Sequence, residues 1–143
     1  NCFLGRWLRH GEGYPDWNLR LFDRRRGRWA EVPVHEHVVV DGEVGMLKGD
    51  LLHESQESLA AYLNKQNHYT SLQAQRLFEQ GAKPSVWRLV FSPCLRFMKF
   101  YMLRGGFRDG VAGLVHISVG CFNSFIKYAK LLELHRTARV RAP

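Results

Sequence analysis

The sequence is short of the groups on which several common chemistries depend. It has 143 residues and three cysteines, Cys2, Cys94 and Cys121, too few and too scattered for a disulfide framework. No C-x-x-C pair is present for zinc or redox work, so a reducing, cytoplasmic setting is expected. Glycine-rich phosphate loops, G-x-S-x-G and D-x-D are all missing, although aspartates stand at 16, 23, 41, 50 and 109. A metal-nucleotide site therefore cannot be completed from these residues. Long hydrophobic runs are missing too. The longest stretch without Asp, Glu, Lys or Arg is Gly110 to Ile126, 17 residues that include His116, Ser118, Asn123, Ser124 and three glycines. A spanning helix needs about 20 mostly apolar residues. No charged leader or signal pattern precedes Cys2-Phe3-Leu4, and because the first residue is Asn1 the chain is expected to be a piece of a longer one.

What is present is 45% hydrophobic, 13% aromatic and basic, with 21 Lys and Arg against 13 Asp and Glu and a formal charge of +8. Such apolar content excludes a disordered chain, and the length suits one domain rather than two. Acid is scarce in one region only. Residues 1–82 carry 10 basic and 11 acidic side chains, whereas residues 83–143 carry 11 basic ones against Asp109 and Glu133 alone. A segregated excess of this kind reads as a docking surface. Since the same region is rich in Phe, Trp, Leu and Met, both nucleic acid and anionic lipid are partners to weigh.

Residues 19–52 read as short strands and turns. Leu19 to Phe22 favours β structure, Arg24-Arg25-Arg26-Gly27 reads as a polar turn, and Trp29 to Val34 alternates until Pro33 ends it. His37–Val40 and Glu43–Leu47 flank Asp41-Gly42, which predicts a β-hairpin. From Ser55, a cap candidate with Glu57 in the first turn, apolar residues at helical spacing predict a helix over about 56–80, stopped by Gly81 and Pro84. Ser92-Pro93 predicts a further helix start, ending at Gly105-Gly106. Asp109 is then expected to cap a last long helix with an apolar stripe, and residues 136–143 to form a frayed tail. The two last helices read either as a buried pair or as amphipathic helices lying in a membrane interface. In the second case Arg88, Arg96, Lys99, Arg104, Lys127 and Lys130 would reach phosphate headgroups.

The most suggestive local chemistry is Val34-His35-Glu36-His37, followed by His53. A carboxylate at a strand end can act as a general base, and a neutral histidine can hold a divalent metal. The spacing is not that of the H-E-x-x-H zinc helix, because position 39 is Val39, and a salt-bridged surface glutamate fits as well. Upstream, Gly13-Tyr14-Pro15-Asp16-Trp17 is turn-prone and offers two rings for stacking on sugars or bases, or for packing on the core. Arg20 can clamp a phosphate or pair with an acid.

Taken in order, these segments resemble a known family. Gly13-Tyr14-Pro15-Asp16, Arg20-Leu21-Phe22, Trp29, Val34-His35-Glu36, Gly42 to Leu47, Leu52-His53-x-Ser55, Tyr62-x-x-x-Gln66, Tyr69, Phe97 to Tyr101, Gly106-Phe107-x-Asp109-Gly110 and Phe125 to Leu131 are similar to the C-terminal half of bacterial family 2 glycosyltransferases. Within that family the resemblance is to the lipopolysaccharide and lipooligosaccharide core β-glycosyltransferases. It implies an α/β fold: the C-terminal part of a GT-A nucleotide-diphospho-sugar transferase, with short strands, a β-hairpin and a long helix, then amphipathic helices. It also implies two parts, residues 1–82 as the acceptor side with the base and residues 83–143 as a basic membrane-associating extension.

By the same resemblance Glu36 is the general base of a metal-dependent inverting transfer, Tyr14, Asp16, Trp17, Arg20 and His35 are acceptor-binding, and His53 is on the metal side. The implied donor is a nucleotide-sugar, a UDP-sugar, and the acceptor a glycolipid. The cofactor is a divalent metal, Mg2+ or Mn2+, held by a D-x-D that these residues do not contain. Peripheral attachment to the cytoplasmic face of a bacterial inner membrane follows, with no nucleic acid as partner. Gln66 stands where the family commonly has a lysine, and the 143 residues alone are expected to be inactive. The alternative is a non-catalytic basic module for nucleic acid or anionic membrane, against which no homeodomain, zinc-finger or RRM signature is found.

Overall fold

The computed structural model describes residues 1–30, 37–54 and 58–141. It mixes helices with short strands. Two antiparallel ladders come first: β1 (Cys2–Phe3) with β2 (Arg6–Trp7), then β3 (Gly27–Trp29) with β4 (Val38–Val40). The helical part follows as α1 (Leu59–Glu79), α2 (Val86–Phe97), a π-helical stretch Met98–Leu103, a 3-10 turn Gly106–Asp109 and α3 (Gly110–Arg141).

The helices form an up-down-up bundle centred on α3. Contacts between α1 and α3 climb together along both, from Tyr62 with His116 through Gln66 with Asn123 to Phe78 with His135, so these two run parallel. α2 descends between them in sequence and meets α3 from the other side, where Arg96 reaches Ser124. Ile117 and Leu131 of α3 are the largest fully buried side chains, with Leu8, Ala74 and Ala112 beside them in the small core. At the lower end the backbone approaches are close. A Cβ on Gly11 would stand 3.0 Å from Ile117 Cδ1 and 3.1 Å from Gly106 Cα, and Gly11 also has a positive φ of 68°. Only glycine fits there.

Several sequence expectations change here. The predicted hairpin about Asp41-Gly42 does not form, because Glu43–Leu47 is not a strand and β4 pairs instead with β3. A type I′ turn needs positive φ at both central residues, and Gly42 has it (131°) while Asp41 does not. Leu19 to Phe22 is also outside any strand, whereas the Arg24–Arg26 turn is present and closed by Arg26 and Gly27 N–H groups on the Asp23 carbonyl.

The helix expected over 56–80 is observed at 59–79, capped by the Ser58 hydroxyl, which accepts from Ala61 N at 3.2 Å. The expected cap Ser55 and its partner Glu57 lie outside the described residues. Ser92-Pro93 does not start a helix. Ser85 does, its hydroxyl accepting from Arg88 N, and Pro93 sits inside α2. Lacking an N–H, Pro93 leaves the Leu89 carbonyl without its helical donor, and the backbone passes into the wider π-helical turns five residues later. The end at Gly105 is as expected, with a left-handed φ of 64°. Residues 136–141 are not a tail, since α3 continues to Arg141; residues 142 and 143 lie outside the described residues.

Most of α2 faces outward. None of its residues is buried, and Val86, Trp87, Val90, Phe91 and Leu95, then Met98, Met102 and Leu103, are exposed. α3 exposes Val111, Leu114, Phe122 and Phe125, spaced by three, eight and three residues and so on one face. By length and composition α3 with the preceding 3-10 turn, Gly106–Val140, is apolar enough to cross a membrane, and 39% of its most apolar window is buried in the bundle.

Candidate functional site

The catalytic candidate Glu36 and the acceptor candidate His35 lie outside the described residues, in the connection between β3 and β4. The ladder itself is well defined. Ala30 N donates to His37 O at 2.8 Å and Asp41 N to Arg26 O at 2.9 Å, so the two ends of this connection are pinned side by side. At the opposite end of the ladder from this connection an open groove of about 400 Å³ is lined by Leu19, Leu21, Phe22 and Val40, with Asp41, Glu43 and Arg26 also in its lining. Such a lining can accept and donate hydrogen bonds to hydroxyl groups.

The Gly13-to-Trp17 loop is held at one point. Tyr14 O–H donates to Asp50 Oδ1 at 3.2 Å, and the Tyr14 carbonyl accepts from Arg104 at 3.0 Å. Asp16 is exposed, and its carbonyl accepts from Asn18 Nδ2 at 3.4 Å. Trp17 is 70% exposed and Arg20 is exposed; among the described residues neither makes a hydrogen bond or ring contact with another side chain. Their faces are open to a ligand. His53 is exposed, and its carbonyl accepts from Cys2 N at 3.0 Å. Among the described residues no three His, Cys, Asp or Glu side chains converge as metal ligands would, so His53 by itself does not make a metal centre.

The six basic residues do not act as one surface. Arg88 and Lys99 are exposed. Arg96 is turned inward, where its guanidinium pairs with Glu12 and contacts Ser124 Oγ at 3.5 Å; burial pulls its pKa down while the nearby Cys121 pushes it up. Lys130 is likewise engaged, its Nζ within 2.7–2.9 Å of Asn67 O, Asn67 Oδ1, Thr70 Oγ1 and Ser71 Oγ, so it ties α3 to α1. Lys127 lies 4.8 Å from the Tyr128 ring, and burial, then Arg96, lowers its pKa. Arg96, Lys99 and Arg104 all stand 5.2–5.6 Å from the Phe100 ring.

Three acids whose long-range partners the sequence did not reveal organise this end of the molecule. Asp109 is 2% exposed, and its Oδ2 accepts from Arg9 N at 3.0 Å and His10 N at 2.8 Å while Oδ1 takes His10 Nδ1 at 2.9 Å. Because a carboxylate only accepts, Nδ1 carries the hydrogen. Burial pushes the Asp109 carboxyl up, but the bonds from His10 and Arg9 outweigh it and leave the pKa below the usual value. The expected helix-start aspartate thus fastens the N-terminal segment. Glu12 and Asp50 are the other two, and no local spacing announces either, since their partners are 84 and 36 residues away.

No family model matches the chain, and no solved structure matches it significantly. Curated proteins do. The chain is 33% identical over 120 residues to the lipopolysaccharide core biosynthesis glycosyltransferase LpsC of Rhizobium meliloti, 82% of this chain and 44% of that protein. It is 32% identical over 130 residues to an uncharacterized glycosyltransferase of Rickettsia typhi, 85% and 44% of the two, and 32% over 124 residues to one of Rickettsia prowazekii, 80% and 42%. The chain spans less than half the length of these relatives. Over four-fifths of its residues it is homologous to glycosyltransferases, one of them named for lipopolysaccharide core biosynthesis, and the resemblance read from its sequence is borne out.

Proposed function

We propose that these residues are the C-terminal, acceptor-side half of an inverting glycosyltransferase of the GT-A type. The complete enzyme would move a sugar from a nucleotide-sugar, a UDP-sugar, to a lipopolysaccharide core or related glycolipid at the cytoplasmic face of the inner membrane. The observation that carries the reading is the 33% identity to a lipopolysaccharide core glycosyltransferase across 82% of the chain. The exposed Trp17 ring and Arg20 guanidinium beside the pinned Tyr14 support it, as they suit a sugar face and a phosphate on an acceptor.

In this reading Glu36 removes the proton from the attacking acceptor hydroxyl, and the connection between β3 and β4 presents it. A divalent metal, Mg2+ or Mn2+, would neutralise the departing diphosphate. Its main ligands would lie in the part of the enzyme outside these 143 residues, with His53 contributing at most one. The 143 residues alone are therefore inactive.

The test is Glu36→Gln in the full-length enzyme, with turnover and nucleotide-sugar binding measured separately. Loss of a general base lowers turnover by about 100-fold or more with donor binding retained. Near-normal turnover would remove Glu36 from the base role.

A further inference from the structure

The cations expected to meet a membrane are in part committed to the interior, so any attachment has to be carried by something else. The exposed side of α2 supplies it. Trp87 is 73% exposed and stacks on Phe91 with ring centroids 5.0 Å apart, and Leu95 and Met102 continue the same outward side, so a helix with no buried residue of its own presents a long apolar surface. α3 extends that surface. α2 packs on α3 where Arg96 reaches Ser124 Oγ at 3.5 Å, and the same turn of α3 exposes Phe122 and Phe125.

We propose that this face of α2 and α3 inserts into the interface of an anionic bilayer. Charge complementarity selects the occupant. Residues 83–108 contain no acid at all, Asp109 is buried, and the cations that remain exposed in this stretch are Lys83, Arg88, Lys99 and Arg108. An apolar face accompanied by positive charge alone is the composition of an interfacial helix, whose rings enter the acyl boundary while cations reach headgroup phosphates. Insertion adds to charge in holding the protein there, because Arg96 and Lys130 are used inside the bundle and fewer cations are left for the headgroups. The inference rests on the glycolipid reading, which supplies the reason for a membrane, but its test involves neither sugar donor nor acceptor. Failure here leaves the transfer chemistry standing, and failure of Glu36 leaves this face standing.

The experiment is flotation of the 143-residue chain with vesicles of phosphatidylethanolamine and phosphatidylglycerol, and with neutral phosphatidylcholine vesicles, at 0.1 and about 0.5 M salt. The chain is expected to float with the anionic vesicles at both salts, more weakly at the higher one. W87S/F91S is expected to reduce partition by about tenfold or more with the far-UV circular dichroism unchanged, since both rings are exposed and neither supports the core. Conservative W87F is expected to retain binding and to remove a blue-shifted component from the fluorescence. Four outcomes overturn the proposal: no flotation of the wild type, equal flotation with neutral vesicles, complete release by salt, or W87S/F91S binding as wild type. Self-association through the face with no vesicle binding likewise overturns it, in favour of a second copy as occupant.

Discussion

Replacing Asp109 by alanine withdraws the acceptor on which the N-terminal segment closes against the start of α3. Three donors lose their partner: the amides of Arg9 and His10 and the ring of His10. The ring is 29% exposed and can turn to water, so the two amides dominate the cost. An unsatisfied buried donor costs about 1–3 kcal/mol, which puts D109A at roughly 2–4 kcal/mol and a fall in Tm of roughly 10 °C for a chain of this size. D109N is the informative companion. Its carbonyl oxygen can take the two amides, and His10 can change tautomer to accept from the new NH2, so the loss is expected near 1 kcal/mol. Acid gives an independent check. The folded pKa of Asp109 lies below the ordinary 3.8, so its contribution is complete above about pH 4 and disappears as pH falls through the folded value. Urea unfolding of wild type and D109A at pH 7 and at stepwise lower pH should therefore show the gap narrowing below pH 4. A gap under 0.5 kcal/mol at neutral pH, or one that widens in acid, refutes the reasoning.

Other perturbations read different parts of the molecule. His116 is packed between Phe3 and Tyr62 with its Nδ1 buried and, among the described residues, unpartnered; burial first, then Arg96 and the N-terminus, hold its pKa below 6.5. Stability should be flat above about pH 6.5 and decline below it as the unfolded chain takes up the proton first, and H116F should remove that decline from the pH profile of urea unfolding. Lys130→Met keeps the stem and deletes the ammonium that joins α3 to Asn67, Thr70 and Ser71; thermal unfolding should register a loss of about 1–2 kcal/mol.

What the sequence made legible was whatever is written in neighbouring residues. The 59–79 helix, the end at Gly105 and the turn at Arg24–Arg26 follow from capping, periodicity and glycine, all of them local. Pairing was not legible. Asp41-Gly42 has the composition of a hairpin turn, yet the partner of β4 precedes it, because Trp29 and Val38 come together across a connection that no dipeptide signals. Pro93 misled for a related reason: proline fits the first turn of a helix, but Ser85 had already supplied the cap eight residues earlier. Of the candidate site, Tyr14, Asp16, Trp17, Arg20 and His53 were found as residue types in suitable loops. The roles of Glu12, Asp50 and Asp109 depend on contacts distant in sequence, and the charge count gave Arg96 and Lys130 to the surface when geometry uses them within the bundle.

The seam between α1 and α3 is hydrogen-bonded by Gln66 with Asn123 and Lys130 with the Asn67 turn, and just past the end of α1 by His135 with the Ala82 carbonyl. Apolar seams tolerate a slide of one helical turn when ridges meet equivalent grooves, but a polar one matches at a single offset. The joint consequently works as a ruler. It sets how far the start of α1 stands from Phe122 and Phe125, midway along α3. That spacing is fixed by polar contacts at three points rather than by the depth of the core.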